Sequence, residues 1–128
     1  MNIMIITSSP NTNGLTAACG EAAKIGVQTG VATANLINLN TLNIPSCHAC
    51  GNGWGTCLKE HTCQVKDDFQ DLHKKMAKAD GYIIITPVYW GDMSESLKSF
   101  IDRLRRCEAL NGDKNSLFGK PFICVAAP

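Results

Sequence analysis

The 128-residue sequence lacks the marks of membrane, secreted and nucleic-acid-binding proteins. No apolar run approaches the ~18 residues of a membrane span, and residues 1–10 have neither the charged start nor the apolar length of a signal peptide. The formal net charge is only +1, and the lysines and arginines do not gather into a basic patch. We therefore expect a folded cytoplasmic protein that binds neither membranes nor nucleic acids.

Several motifs that identify a known chemistry are also missing. No G-x-G-x-x-G follows the first apolar run, which disfavours a dinucleotide held on a Rossmann turn, and no G-x-x-x-x-G-K-[ST] is present for a nucleoside triphosphate. The sequence offers no H-E-x-x-H, no Ser–His–Asp set and no paired carboxylates. We therefore identify no catalytic side chain, and any redox chemistry would belong to a cofactor.

What the sequence does have is a regular alternation of strands and helices. Four apolar runs predict β-strands at 2–7, 31–38, 81–87 and 121–127. Apolar residues at helical spacing predict the intervening helices, at 15–28, from Asp67 onward and near 94–109. This alternation predicts one α/β domain over residues 1–128, a three-layer sandwich with a parallel sheet in the order 2-1-3-4.

Two loops fall where such a sheet binds ligands, beyond the carboxyl ends of strands 1 and 3. The first is "SSPNTNGLT" at 8–16, which suits either an ordinary turn with a helix cap or an anion site at a helix N-terminus. The second is "TPVYWGDMS" at 86–94, whose aromatic pair suits a flat ring. A phosphate at one loop and a ring at the other indicate flavin mononucleotide (FMN).

The segments "TSSPNTNGLT", "CQVKDDF", "ADGYIIITPVYWGDMSESLKSFIDR" and "GKPFICVAAP" together resemble the NADPH-dependent FMN reductase family. Within that family, which has a flavodoxin-like fold, they lean toward the iron–sulfur flavoprotein branch. The resemblance extends over nearly the whole chain, and residues 86–103 carry its most specific part. It implies FMN as the cofactor and a [4Fe–4S] cluster as a possible second one.

The resemblance also implies a role for particular residues. The FMN phosphate would be surrounded by Ser9, Asn11, Gly14, Leu15 and Thr16. The isoalloxazine ring would be bordered by Pro87, Val88, Tyr89, Trp90 and Gly91. Two positions depart from the family, which often has a basic residue where Asn11 stands and Asn where Leu15 stands.

The function implied by the resemblance is that of an FMN-dependent oxidoreductase, of the NAD(P)H:flavin or NAD(P)H:quinone reductase type. Its partners would be NAD(P)H and a small-molecule electron acceptor. The alternative is an electron-transfer protein in which FMN and an iron–sulfur cluster relay electrons between redox proteins. The electron donor separates the two hypotheses, since a reductase consumes a nicotinamide and a carrier takes electrons from a protein such as ferredoxin.

The chain stops at Pro128, directly after strand 4, whereas a flavodoxin-like sheet usually has a fifth strand and a closing helix. The fifth strand and last helix are therefore absent from this chain. Either the chain is a fragment or a partner subunit completes the fold. Because strand 4 would then be an unpaired edge, we expect a homo-oligomer.

Four of the seven cysteines fall close together, in the pattern C-x2-C-x6-C-x5-C formed by Cys47, Cys50, Cys57 and Cys63. The iron–sulfur branch has a more compact pattern, with its third cysteine two residues after the second. Four hypotheses stay open: a [4Fe–4S] cluster, unligated thiols, a zinc site and a Cys47–Cys50 disulfide. For zinc, His48 and His61 are available as substitute ligands.

The other cysteines and the remaining polar residues have simpler interpretations. We expect Cys19, Cys107 and Cys124 to be small buried residues, because each lies in a helical or strand pattern. His73 is predicted to face solvent. The charges of Lys98, Asp102 and Arg103 are predicted to form a set on the surface of a helix.

Local spacing makes three further predictions. Asp67 with Gln70, and Asp92 with Glu95, have the spacing of capping boxes at helix N-termini. In the first helix, an apolar face is indicated by four residues at helical spacing: Leu15, Ala18, Ala22 and Ile25.

Overall fold

Four parallel strands form one sheet in the computed structural model, which describes residues 1–128. The strands are β1 (Asn2–Thr7), β2 (Thr33–Asn38), β3 (Gly81–Pro87) and β4 (Phe122–Ala127). Their order is β2-β1-β3-β4, and every neighbouring pair is parallel. The predicted order and fold class are confirmed, and β1 lies between β2 and β3.

Helices cover both faces of this sheet. The helices are α1 (Leu15–Thr29), a distorted single turn α2 (Cys50–Gly53), α3 (Phe69–Lys78) and α4 (Glu95–Glu108), with short 3-10 turns at Leu39–Thr41 and Gly112–Lys114. Side chains alternate along β1, so Thr7 faces α1 while Met4 and Ile6 face α3 and α4. The result is the predicted three-layer arrangement.

The main core lies between the sheet and the pair α3–α4. The rings of Phe69 and Phe100 have centroids 5.8 Å apart and are both fully buried. Around them pack buried apolar side chains of both helices and two strands: Met4, Ile6, Leu72, Met76, Tyr82, Leu97 and Leu104. The apolar residues whose helical spacing predicts α3 and α4 therefore face this core.

The predicted apolar face of α1 is wrong. Leu15 and Ile25 are 54% and 62% exposed, and the buried positions of the helix are Thr16 and Gly20. A Cβ built on Gly20 would lie 2.8 Å from Cγ2 of Thr7. The helix therefore approaches the sheet through a residue without a side chain, and this close contact orients α1.

The prediction that His73 faces solvent is also wrong. Its side chain is 12% exposed, and Nε2 lies 2.6 Å from Oε1 of Glu108 in α4. The Glu108 carboxylate also accepts hydrogen bonds from the hydroxyl and backbone N–H of Ser116. Burial alone would raise the pKa of Glu108, but these hydrogen bonds from Ser116 and His73 outweigh it and lower the pKa. The network joins α3, α4 and the segment that leads into β4.

The two predicted capping boxes have different outcomes. At α3, Gln70 Oε1 accepts from the N–H of Asp67 at 3.1 Å, and Asp67 Oδ1 accepts from the N–H of Phe69 at 2.9 Å. The bond from Asp67 to Gln70 is one half of the predicted box, but the Asp67 carboxylate binds Phe69 rather than Gln70, and the N-cap residue is Asp68, which makes no side-chain cap bond. At α4 the cap is Ser94, whose hydroxyl accepts from the N–H of Leu97, so the second prediction is wrong.

The remaining cysteines are not all buried. Cys107 is fully buried, as predicted, and Cys19 is half-buried. Cys124 is exposed, so its prediction is wrong. The reason is its place on the edge strand β4, where Phe122 on the same face is also exposed. None of the helices has both the length and the apolar character needed to cross a membrane.

Two glycines of α1 allow a matched test of its packing. Gly20→Ala should lower the free energy of unfolding by about 1 kcal/mol, since overpacking exceeds the gain in helix propensity. At Gly26 no atom outside the neighbouring backbone of the helix lies within 4 Å of the position that a Cβ would occupy, so Gly26→Ala should raise the free energy of unfolding by roughly 0.5–1 kcal/mol. Urea unfolding measures both values. Equal shifts of the same sign would contradict the close contact at Gly20.

Candidate functional site

The loops after β1 and β3 lie side by side at one edge of the sheet. The two strands are paired in register, with Thr7 opposite Ile85. The backbone N–H of Ser8 continues this pairing by donating to the carbonyl of Ile85 at 3.1 Å. The predicted phosphate loop and the predicted ring loop therefore leave the sheet as neighbours.

The N-terminus of α1 carries backbone donors that have no partner. No side chain caps this helix, whose N-cap is Gly14, and its first intrahelical bond is donated by Ala18. The N–H groups of residues 14–17 therefore form no hydrogen bond within the chain. They lie at the positive end of a 15-residue helix, where an anion is stabilised.

The side chains of the first loop shape this group of donors. Ser9 and Thr16 are both buried, at 7% and 4% exposure, while Asn11 and Leu15 are exposed. The Ser9 hydroxyl accepts from the N–H of Asn11 at 3.2 Å. A Cβ on Gly14 would lie 2.6 Å from Nδ2 of Asn11, so a larger residue at this position would require the exposed Asn11 side chain to move. The five predicted phosphate residues therefore lie in the loop before α1 or in the first turn of this helix.

The loop after β3 is a tight turn with an exposed aromatic tip. Tyr89 and Asp92 exchange two backbone hydrogen bonds, at 2.9 and 3.0 Å. The two residues between them, Trp90 and Gly91, both have positive φ, at 53° and 79°. Positive φ is unfavourable for tryptophan, and the Trp90 side chain is fully exposed. Pro87 is buried at the base of the turn and Val88 is exposed.

A cleft of about 490 Å³ opens between these loops and the segment after β2. This volume lies in the range of small-molecule sites. Its walls come from three strand ends and from the start of α4: Pro10, Asn40, Ile44, Pro45, Ser46, Tyr89, Ser94, Glu95, Ser96 and Ser99. Of the predicted flavin residues only Tyr89 lines the cleft. The sequence analysis does not predict the wall formed by residues 40–46. The sequence held a signal for it, because these residues follow β2, which is the neighbour of β1 in the sheet.

A second cavity lies on the other side of this wall. All four cysteines of the predicted metal site line it, although no three of the chain's Cys, His, Asp or Glu residues are close enough to hold one metal ion. The free space at its centre is about 20 Å³, which is room for about one water molecule. His48 also lines this cavity, whereas His61 does not.

Arg103 joins α4 to the cysteine segment, which we define as residues 45–67. The prediction that Arg103 lies on the surface is wrong. It is 2% exposed, and its guanidinium forms a two-pronged ion pair with Asp67 at 2.8 and 3.0 Å. Nη2 also donates to Sγ of Cys63 at 3.3 Å, and Nη1 donates to the carbonyl of Pro45. Burial lowers the pKa of Arg103, but the hydrogen bonds to Asp67 and Cys63 raise it by more. The group therefore stays charged.

The cleft and the cysteine cavity share one wall. Pro45 and Ser46 line the cleft, and Cys47 follows directly on the cavity side. On α4, Ser99 faces the cleft and Arg103, one turn later, faces the cavity. A molecule in the cleft would therefore lie close to the thiols.

Comparison with known proteins identifies the family. The sequence profile described as NADPH-dependent FMN reductase matches residues 1–128. The chain belongs to this family. An iron–sulfur flavoprotein of Archaeoglobus fulgidus is 32% identical over 97% of the chain, and one of Methanocaldococcus jannaschii is 34% identical over 82%. The chain spans 60% and 52% of the length of these two relatives.

Solved structures agree on the fold. The NAD(P)H:quinone oxidoreductase from Methanothermobacter marburgensis superposes with a TM-score of 0.76 at 21% identity. The match covers 98% of this chain and 64% of that one. It shows the shared flavodoxin-like fold.

The residues of the first site suit FMN better than the residues of the second site suit a metal centre. The free N–H groups at α1 suit a phosphate, and the exposed aromatic turn beside them suits a flavin ring, so the first site fits FMN. At the second site the donor chemistry suits a thiophilic metal centre, since several thiols and no carboxylate line the cavity. In this structure no three of these thiols lie close enough together to hold one metal ion, so the geometry of the second site does not fit such a centre.

Leu15 allows a test of the phosphate site that spares the fold. Leu15→Glu should weaken FMN binding by about tenfold through charge repulsion at the helix N-terminus. The same change should leave the apoprotein equally or more stable, because an acid at this position suits the helix dipole. Flavin fluorescence quenching measures binding, and thermal unfolding measures stability. Leu15→Gln is the neutral control, and equal FMN affinity in both variants would place the phosphate elsewhere.

Proposed function

We propose that this chain binds FMN and carries electrons from NAD(P)H to a flavin or quinone acceptor. The proposal rests on membership of the NADPH-dependent FMN reductase family. The single structural observation behind it is the uncapped N-terminus of α1 beside the aromatic turn after β3. One site offers free donors for a phosphate and the other a flat surface for a ring, at adjoining strand ends.

In this proposal the chain supplies binding and orientation. FMN, when bound, accepts a hydride and passes electrons on, alone or in pairs. The N–H groups of residues 14–17 and the hydroxyls of Ser9 and Thr16 hold its phosphate. The backbone of residues 87–91 supports its ring and limits the access of water from that side. The cleft beside Tyr89 leaves room for a second molecule at the ring, as a reductase requires.

The polar lining of the cleft favours a substrate with hydrogen-bonding edges. Ser94, Ser96 and Ser99 lie along it, and the Ser96 hydroxyl is 3.0 Å from Oδ1 of Asn40. A carboxamide or a quinone oxygen suits these groups. Glu95 at the same edge disfavours a second phosphate there.

Anaerobic reduction tests the proposed reductase directly. The FMN-loaded chain is mixed with NADPH or NADH, and the visible absorbance of the oxidised flavin is followed. We expect it to bleach and then to return when menadione or free FMN is added. Full bleaching by dithionite with none by either nicotinamide would contradict the reductase function.

A second candidate function has its own observation. The cysteine cavity adjoins the cleft through one wall, and several relatives are named iron–sulfur flavoproteins. We propose as this alternative that FMN and a [4Fe–4S] cluster on the cysteine segment relay electrons between redox proteins. Reduction by ferredoxin without any reduction by nicotinamides would favour it.

We also propose that the chain self-associates. Large apolar side chains are exposed on α1 and on the edge strand β4: Leu15, Ile25, Phe122 and Ile123. Exposed apolar surface of this kind is typical of interaction sites.

A further inference from the structure

One buried hydroxyl in the cleft has no hydrogen-bond partner. Ser99 lies in α4, lines the cleft and is 7% exposed. A serine inside a helix can donate back to the carbonyl four residues earlier. The Ser99 hydroxyl does not bind the carbonyl of Glu95 in this way, nor any other group of the chain. Because a buried polar group without a partner is unfavourable, this hydroxyl suits a molecule that enters the cleft.

Two other serines of the cleft already have partners. The Ser94 hydroxyl caps α4 by accepting from the backbone N–H three residues later, at 3.4 Å. The Ser96 hydroxyl lies 3.0 Å from Oδ1 of Asn40 and 3.4 Å from the carbonyl oxygen of Ser8. These bonds hold the start of α4 against the loops after β1 and β2. The cleft therefore keeps its shape around Ser99.

The charge of the cleft is low and negative. None of its 10 lining residues is basic, and Glu95 is the only one that is charged at neutral pH. Glu95 is exposed and begins α4, one turn before Ser99. The nearest cations of this helix, Lys98 and Arg103, are each held in an ion pair with an aspartate. A phosphate or sulfonate in the cleft would therefore meet a carboxylate and no free cation.

The start of α4 favours partial negative charge on an uncharged ligand. The positive end of this 14-residue helix lies at the cleft. A carbonyl oxygen carries partial negative charge and accepts hydrogen bonds, and its negative charge increases while the carbonyl is reduced. A hydroxyl donor near the helix N-terminus suits such an oxygen. The cleft thus combines one donor for a carbonyl oxygen with a carboxylate that opposes an anionic group.

We propose that Ser99 is a specificity-determining residue of the acceptor site, where its hydroxyl donates a hydrogen bond to a carbonyl oxygen of an uncharged quinone. Glu95 disfavours acceptors that carry a phosphate or a sulfonate at this end of the cleft. The hydride of NAD(P)H, passed on by way of the flavin, and one proton from solvent convert the quinone into a hydroquinone, so Ser99 keeps its own proton. This inference rests on the proposed reductase function, for which it defines the acceptor.

Quinone binding tests the hydrogen bond without catalysis. The oxidised, FMN-loaded chain and its variants Ser99→Ala and Ser99→Thr are titrated with menadione by isothermal titration calorimetry. We expect Ser99→Ala to bind menadione about five- to tenfold more weakly, because one donor is lost, and Ser99→Thr to stay within about threefold of the unaltered chain. Ser99→Ala should be at least as stable in urea, since it breaks no bond and alanine favours the helix. Equal menadione affinity in a folded Ser99→Ala variant would overturn the proposal.

An anionic quinone tests the selection by Glu95. Glu95→Gln should raise the affinity for a naphthoquinone sulfonate, relative to that for menadione, by about fivefold. Asp102→Asn is the matched control, because it removes the same charge from an exposed position of α4 outside the cleft. It should leave the ratio of the two affinities as it is in the unaltered chain. Equal changes of the ratio in both variants would contradict a selection that depends on Glu95.

A further measurement needs no substitution, in case Ser99→Ala does not fold. In the ¹⁵N-labelled unaltered chain, menadione should shift the backbone amide signals of residues 94–99. Absence of shifts in this range would overturn the proposal, as would absence of menadione binding. The reductase proposal fails on a different result, which is that neither nicotinamide bleaches the bound FMN. Menadione binding does not depend on that result, because it needs no electron transfer.

Discussion

The parallel pairing of β1 with both β2 and β3 is the constraint on which the rest of this structure depends. Parallel strands end at the same edge, so three loops leave the sheet together. The first carries the free N–H groups of α1, the second the aromatic turn, and the third leads into the cysteines. A slip of one residue between β1 and β3 would separate Ser8 from Ile85 and break up this group of loops.

The buried pair of Arg103 and Asp67 has a comparable role at the second cavity. Residues 54–68 contain no regular helix or strand, so few backbone hydrogen bonds hold them. Arg103 compensates by binding both the beginning and the end of the cysteine segment, at Pro45 and at Cys63–Asp67. Both partners are almost fully buried, and loss of either would leave an unpaired charge, at a cost of about 3–5 kcal/mol. The same pair thus fixes the wall between cleft and cavity.

Local patterns predicted much of this molecule from its sequence. Continuous apolar runs predicted the strands, and the spacing of Asp67 and Gln70 predicted the hydrogen bond that joins these two residues at the start of α3. These features depend on neighbours within a few residues. The β1–α1 loop was recognisable because so many small hydrogen-bonding residues stand between one strand and one helix.

The failures share a different physical cause, which is contact between residues far apart in the chain. His73 pairs with Glu108, 35 residues away, and Arg103 with Asp67, 36 residues away. Helical periodicity gives the face of such a residue but not its partner. The face of α1 was mispredicted because a glycine rather than a large side chain contacts the sheet. Arg103, Arg106 and Cys107 of α4 all line the cysteine cavity. Their R-x-x-R-C spacing held a signal for it, since three such positions share one helix face.

The central claim is that the free backbone donors of α1 hold the phosphate of FMN. It is tested most directly by comparing FMN with riboflavin, which has the same ring and no phosphate, in equilibrium dialysis against the apoprotein. Charge-assisted hydrogen bonds from several N–H groups should make FMN bind about a hundredfold more tightly. Equal affinities for the two flavins would contradict the claim, because binding would then depend on the ring alone.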